Sequence, residues 1–121
     1  MRRSITGGSK RKARSGTVAQ VKPRVLALVA AIPEGRVSTY GAIGRCLQIN
    51  ARQVAYILST LTVEESERLP WFRVVAADGV VSSMKLRAVG RRQIARLRAE
   101  GVAVTPRNKV EDFRMIAWSP R

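Results

Sequence analysis

Hydrophobic residues recur at helical spacing early in the chain. Between positions 22 and 32, valine, leucine and isoleucine share one helical face, and Pro23 is acceptable in a first turn. The Pro-Glu-Gly sequence at 33–35 then interrupts the pattern, because proline and glycine end helices. The spacing therefore predicts an amphipathic helix over 22–32.

The next stretch predicts two short helices separated by a tight turn. Thr39 is a suitable N-cap for a helix over 40–47, whose inward side includes Cys46. After a turn at 48–50, Asn50 is a suitable N-cap for a helix from 51 to about 61. Helix, short turn and helix form the layout of a helix-turn-helix.

The helix from 51 to about 61 has two distinct faces on a wheel of about 100° per residue. Its predicted core face consists of Val54, Ile57, Leu58 and Leu61. Its predicted outward face consists of Arg52, Tyr56 and Ser59, with Ala55 at the edge. One long cation, one aromatic ring and small residues could lie closely against DNA, although an ordinary solvated face has the same pattern.

The second half of the chain predicts smaller elements. A polar link at 62–68 precedes two valine pairs, 74–75 and 80–81, which flank Asp78-Gly79 and predict a hairpin. A basic amphipathic helix is expected over 86–100, and extended segments over 102–104 and 113–118. The predicted fold class is mainly α with small β elements, a winged helix-turn-helix domain.

Charge is the strongest global signal. The 121 residues contain 23 Lys and Arg against 8 Asp and Glu, a net charge of +15. Such a balance favours a polyanionic partner, and nucleic acid is the commonest one for a small chain. Residues 1–20 hold six basic residues and no acid, which predicts a flexible basic arm before a folded domain over 21–121. The arm is either a solubilising tail or a DNA-tracking segment.

Several kinds of chemistry are disfavoured by the composition. The chain has no His and one Cys, which argues against a zinc site and any histidine-dependent triad. No apolar run reaches the roughly 20 residues of a membrane span, and the basic start lacks the apolar segment of a signal peptide. We therefore expect no metal, no cofactor, no membrane partner and a cytoplasmic location, nucleoid-associated in a prokaryote.

Three separated motifs resemble one family. The sequences IPEGRVSTYGAIGRCLQINARQVAYIL, PWFRVVAADG and LRAEGV are similar, in this order, to the DNA-binding domain of O6-alkylguanine-DNA alkyltransferases. The chain looks most like the alkyltransferase-like relatives, which bind the same lesions without repairing them. The resemblance covers about 21–104.

The resemblance implies that the reaction centre is missing. True alkyltransferases have Pro-Cys-His-Arg-Val, where the Cys accepts the alkyl group and the His and a distant Glu activate it. Here Trp71 stands at the Cys position, Phe72 at the His position, and Glu100 matches the Glu. Alkyltransferase-like proteins commonly have Trp followed by His, so Phe72 departs from both groups. Cys46 is expected to be buried and inert.

The resemblance also implies a DNA-binding site. Tyr40, after Thr39, matches the residue that presses on the 3′ phosphate, and Arg52 matches the finger that replaces the extruded base. The small residues Ala51 and Ala55 around Arg52 allow close approach, and Tyr56 is bulkier than usual there. The implied lesion pocket consists of Trp71, Phe72, Arg73, Val74, Ser82 and Ser83.

These expectations define a leading function and its rivals. The leading one is a monomeric, non-enzymatic sensor of O6-alkylguanine in duplex DNA, whose binding the resemblance links to nucleotide excision repair proteins. One alternative is a general winged-helix DNA-binding protein, regulatory or architectural, without lesion selectivity. The other is an enzyme, either an acceptor using Cys46 or a glycosylase using Glu100 or Asp78, although no partner residue in the sequence supports base excision.

Overall fold

A computed structural model describes residues 17–82 and 87–120. The helices in these ranges are α1 (Val18–Ala30), α2 (Tyr40–Leu47), α3 (Ala51–Ser59), α4 (Val63–Arg68), α5 (Arg87–Ala99) and α6 (Phe113–Ile116). The strands are β1 (Ser38–Thr39) and β2 (Val74–Val75), and single 3₁₀ turns lie at Trp71–Arg73 and Ala77–Gly79. The protein is mainly helical with a small two-stranded sheet.

The first helix begins earlier than its hydrophobic pattern predicts. Thr17 caps it: the Thr17 hydroxyl accepts from the Gln20 backbone N–H at 3.2 Å, and the Gln20 side chain accepts from the Thr17 N–H at 3.1 Å. This reciprocal capping box satisfies two free backbone donors, so the helix forms although Pro23 lies inside it. The helix predicted to begin at residue 22 therefore begins earlier, at Val18.

The sheet joins parts of the chain that are distant in sequence. β1 and β2 pair in parallel, with Ser38 opposite Val74 and Thr39 opposite Val75. The predicted hairpin between the two valine pairs is wrong, because β2 pairs with β1 instead. Asp78 and Gly79 do form a tight turn, with φ of 62° and 86°, that the Ala76 N–H closes by donating to the Val80 carbonyl at 2.8 Å.

Two hydrophobic clusters lie on either side of this sheet. The first lies under α1, α2 and α3, and its buried members are Val21, Val25, Val29, Ile32, Ile43, Leu47, Ile49, Val54, Ile57 and Val74. The second lies under α5, and its buried members are Val37, Phe72, Val75, Val81, Ile94, Leu97, Val102, Val104 and Val110. Adjacent residues of a strand point to opposite faces, which is why Val74 and Val75 divide between the clusters.

Three further predictions were wrong. The polar link at 62–68 contains α4, because Thr62 and Glu65 form another capping box. The segment predicted as extended at 113–118 begins with α6. Cys46 was expected to be buried but is exposed on α2, where Ala42, Ile43, Gly44 and Leu47 form the buried side instead.

Within the part of the chain that the structure describes, no helix is long and apolar enough to cross a membrane.

Candidate nucleic-acid interface

The turn between α2 and α3 is fixed by local side chains. Gln48 ends α2 in the left-handed conformation, with φ of 62°. Asn50 caps α3, since its side chain accepts from the Gln53 N–H at 2.8 Å and the Gln53 side chain accepts from the Asn50 N–H at 3.0 Å. Both predicted N-caps, Thr39 and Asn50, are therefore confirmed, and Arg52 lies in the first turn of a well-anchored helix.

Gly44 allows the backbone of this turn to approach α2. A Cβ atom at Gly44 would lie 2.5 Å from the Ile49 carbonyl oxygen, which is shorter than any ordinary contact. The same turn is closed by the Ile49 N–H, which donates to the Gly44 carbonyl at 2.9 Å. The absence of a side chain at Gly44 is thus a condition for the path of the chain into α3.

The outward face of α3 has the predicted composition. Ala51, Arg52 and Tyr56 are exposed, Ala55 is half-buried, and Val54 and Ile57 face the first cluster. Tyr56 leaves 58% of its surface in solvent, a large exposed fraction for an aromatic residue. Leu58 and Leu61 were predicted in the core and are only half-buried. One helix thus presents a cation and an aromatic ring side by side.

A cavity of about 350 Å³ separates this face from the start of α1. Its lining is mostly apolar and consists of Thr17, Val18, Val21, Ile49, Arg52, Gln53, Tyr56 and Ile57. Sequence reasoning missed it, because it depends on how the start of α1 packs beside α3.

Tyr40 begins α2 and is brought together with Ser82. The preceding Thr39 hydroxyl accepts from the Ala42 N–H at 3.0 Å and so fixes the start of the helix. Burial raises the pKa of the Tyr40 hydroxyl, and a hydrogen bond with the Ser82 side chain opposes that shift. Residues that the resemblance assigns to the phosphate contact and to the lesion pocket therefore lie close together. Ser83, also assigned to the pocket, lies outside the described residues.

Trp71 and Phe72 occupy the 3₁₀ turn before β2. Their rings meet edge to face, with centroids 6.1 Å apart and planes at 87°. Trp71 is half-buried, whereas Phe72 is only 5% exposed and belongs to the second cluster. The Phe72 ring lies beneath two guanidinium groups, with the central carbon of Arg96 at 4.8 Å and that of Arg73 at 5.5 Å from its centroid.

Arg73 connects this turn to the end of α5. Its Nε donates to the Glu100 Oε1 at 2.9 Å, and its second terminal nitrogen donates to Oε2. The other terminal nitrogen donates to the Ile32 carbonyl at 2.7 Å, and Glu100 also accepts from the Gly35 N–H at 3.1 Å. Burial of Glu100 raises its pKa, but these hydrogen bonds outweigh burial and the net pKa is lowered.

A buried amide on α5 holds the same turn from below. Gln93 is 2% exposed, and its side-chain nitrogen donates to the carbonyls of Phe72 at 3.0 Å and Val74 at 2.9 Å. Val74, assigned to the lesion pocket, is itself buried in the first cluster. In the sequence, helical spacing places Gln93 on the inward face of α5, where it is one polar residue among apolar ones.

Residues 20–102 match the sequence profile of the DNA-binding domain of 6-O-methylguanine DNA methyltransferases. This match covers most of the chain. The chain belongs to this family.

Named relatives and solved structures agree with the family assignment. The chain is 37% identical over 99 residues to a DNA base-flipping protein of Vibrio parahaemolyticus, covering 80% of this chain and 94% of that one. It is 39% identical over 83 residues to alkyltransferase-like protein 1 of Schizosaccharomyces pombe, covering 67% and 75%. The S. pombe Atl1 structure in complex with damaged DNA containing O6-carboxymethylguanine superposes with a TM-score of 0.74 at 32% identity, covering 87% and 100%.

The alkyltransferase profile ends before the last segment of the chain, which docks on the domain. Arg36 donates to the Ile116 carbonyl at 3.0 Å and to the Ala117 carbonyl at 2.9 Å. Val37 pairs with Ala117 in a parallel bridge, next to the first residue of β1. The segment beyond the profile therefore supports the same strand that leads into Tyr40.

Proposed function

We propose that this chain is a non-enzymatic sensor that binds O6-alkylguanine in duplex DNA and flips the modified base. It uses α2 and α3 as a winged helix-turn-helix unit in the minor groove. The observation that carries the proposal is the pair Trp71 and Phe72, two side chains without a nucleophile or a base at the positions that the resemblance assigns to the reaction centre.

Exposure of the α3 face supports a DNA contact. Arg52 lies in the first turn of α3 with its side chain in solvent, next to Ala51, so it can enter a groove without moving the core. Tyr40, held by Ser82, presses on the neighbouring phosphate and rotates the nucleotide outward. Extruding a damaged, poorly paired base costs about a few kcal/mol, and Arg52 offsets part of that cost by filling the gap.

The pocket residues favour recognition over chemistry. Trp71 is half-buried and offers a flat ring to the flipped base, and one base–aromatic contact contributes about 1–3 kcal/mol. Phe72 is covered by arginines and serves as the support of the pocket more than its lining. Glu100 has its carboxylate oxygens engaged by Arg73 and Gly35, which supports a structural role for it.

Base flipping without chemistry has a biological consequence. A bound protein that holds the base outside the helix marks the lesion for nucleotide excision repair. Binding by one α3 helix per lesion requires one copy of the chain, and we propose a monomer that acts on the DNA of the cytoplasm or nucleoid.

A titration with lesion-containing and plain duplexes tests this function. Fluorescence anisotropy at two salt concentrations should show tighter binding to an O6-methylguanine duplex, with the ratio preserved as salt rises. If about six phosphates are neutralised, both affinities should fall with a log–log slope near −5. Mass spectrometry of the protein after incubation should show no added alkyl group. Equal affinity for both duplexes would favour the general DNA-binding alternative, and a mass increase would establish an enzyme.

A further inference from the structure

The helix α5 carries a second cationic surface that the proposed function does not use. Over Arg87–Ala99 the helix holds five arginines and no acidic residue. All five are exposed, and the residues are Arg87, Arg91, Arg92, Arg96 and Arg98. The two ion pairs among residues 17–82 and 87–120 are Lys22 with Glu65 and Arg73 with Glu100, so neither neutralises this surface.

The arginines form two rows with a shallow strip between them. At about 100° per residue, one row contains Arg87, Arg91 and Arg98 within about 40°, and the other contains Arg92 and Arg96. The strip between the rows consists of Ala88, Ala95 and Ala99, which are also exposed. Short side chains flanked by two rows of guanidinium groups allow a polyanionic strand to approach the helix backbone.

This arrangement is unfavourable for the helix alone. Arg87 and Arg91, like Arg92 and Arg96, are like charges four residues apart, which repel on a helix surface. Arg87 also lies in the first turn, where the helix dipole disfavours a cation and no acidic residue offsets it. A surface whose charges oppose the stability of its own helix is typical of a site that binds an anionic partner.

Two of the arginines are already ordered by the fold. Arg96 stacks over the Phe72 ring at 4.8 Å, and Arg98 donates to the Val104 carbonyl at 2.9 Å. Arg87, Arg91 and Arg92 make no hydrogen bond or ion pair with the other described residues. These three are therefore the members free to bind phosphate.

The start of α5 is tethered close to the proposed DNA contact. Arg87 follows Ser82 by five residues, and the Ser82 side chain lies close enough to Tyr40 to lower the pKa of its hydroxyl. Five residues span at most about 18 Å, which equals about five phosphate steps along one DNA strand. A duplex held at Tyr40 thus continues within reach of Arg87.

We propose that α5 binds backbone phosphates of the same duplex, on the flank of the site held by α3. This inference rests on the proposed function for where the duplex lies. It extends that function by assigning two contributions to different elements. Selectivity for the lesion comes from α3 and the pocket, and α5 adds affinity that depends on neither sequence nor lesion.

The test compares a triple variant with a matched one. Arg87→Gln, Arg91→Gln and Arg92→Gln together remove three charges from α5, and Arg24→Gln, Arg107→Gln and Arg114→Gln remove three exposed charges elsewhere. Binding to a plain duplex of about 25 base pairs is measured from 50 to 200 mM salt. In a plot of log affinity against log salt concentration, the slope of the α5 variant should be smaller in magnitude than that of wild type by about 2.7. When salt falls fourfold, the affinity of wild type should therefore rise about 40-fold more than that of the variant.

Three results would overturn the inference: an unchanged slope, an equal loss in the matched variant, or capture of a second labelled duplex by a protein already bound to one. The ratio of lesion to plain affinity should stay at the wild-type value in the α5 variant. That ratio also separates the two proposals. If wild type binds lesion and plain duplexes equally, lesion sensing is refuted. The role of α5 is decided separately, by the salt dependence of binding to plain DNA.

Discussion

Replacing Glu100 by glutamine should destabilise the protein, because its carboxylate is one partner of a largely buried ion pair. The carboxylate accepts from Arg73 and from the Gly35 N–H, and only 12% of its side chain and 15% of that of Arg73 are exposed. Removing one partner of a buried ion pair costs about 3–5 kcal/mol. Glutamine keeps the shape and one acceptor oxygen for Gly35, so we expect a loss of about 2–3 kcal/mol in the free energy of unfolding.

The loss should depend on pH in a definite direction. The net effect of the Arg73 and Gly35 hydrogen bonds holds the folded-state pKa of Glu100 below its usual value of 4.5. A lowered carboxyl pKa contributes stability that is present above the unfolded value and disappears as pH falls through the folded value. The difference between wild type and Glu100→Gln should therefore be constant near neutral pH and shrink below about pH 4.5.

Urea denaturation followed by tryptophan fluorescence measures both effects, at pH 7 and at steps down to about pH 3.5. Glu67→Gln is the matched control, because Glu67 lies on the exposed surface of α4 and makes no ion pair with the described residues. It should change the unfolding free energy by less than about 0.5 kcal/mol. The reasoning is refuted if Glu100→Gln is no more destabilising than Glu67→Gln at pH 7, or if its effect does not change in acid.

Other variants test the interface. Arg52→Ala should weaken lesion binding by about 1–3 kcal/mol while the melting temperature stays unchanged, since its side chain is exposed; unaltered affinity would remove it from the finger role. The Phe72→His variant should still transfer no alkyl group, because Trp71 remains at the nucleophile position, and intact-protein mass spectrometry checks this. The same variant should lose about 1–3 kcal/mol of stability, because it loses apolar burial under Arg96. Gly44→Ala should cost about 1–3 kcal/mol in urea denaturation and weaken DNA binding, since its Cβ meets the Ile49 carbonyl at 2.5 Å; wild-type behaviour would show that the turn relaxes freely.

The parts of the fold that depend on local signals could be predicted from the sequence. Thr39 and Asn50 are N-cap residues that accept from a backbone donor three residues later, so both helix starts were correct. The exposure of Arg52 and Tyr56 followed from the helical period. The same kind of signal was present at Thr17 and Gln20, where a capping box extends α1 past the region of apolar spacing.

The rest depends on contacts between distant segments. Val74 pairs with Ser38, and Arg73 binds Glu100, 27 residues away, so neither follows from periodicity. The Asp-Gly turn at 78–79 formed as predicted, but a turn does not determine which strands pair. The position of Phe72 beneath two arginines could not be predicted either, because Arg96 reaches the ring only through the packing of α5 against the turn.

The hydrogen-bond network around Arg73 fixes the backbone of the turn that carries Trp71 and Phe72. Its bonds run from the guanidinium to Glu100 and the Ile32 carbonyl, and from Glu100 to the Gly35 N–H. None of them uses the side chain of Trp71 or Phe72, and Gln93 holds the same turn through backbone carbonyls. Of these two residues, Trp71 is half-buried, whereas Phe72 packs in the second cluster beneath Arg73 and Arg96. The backbone of this turn is therefore held by hydrogen bonds that do not involve the side chain at position 71.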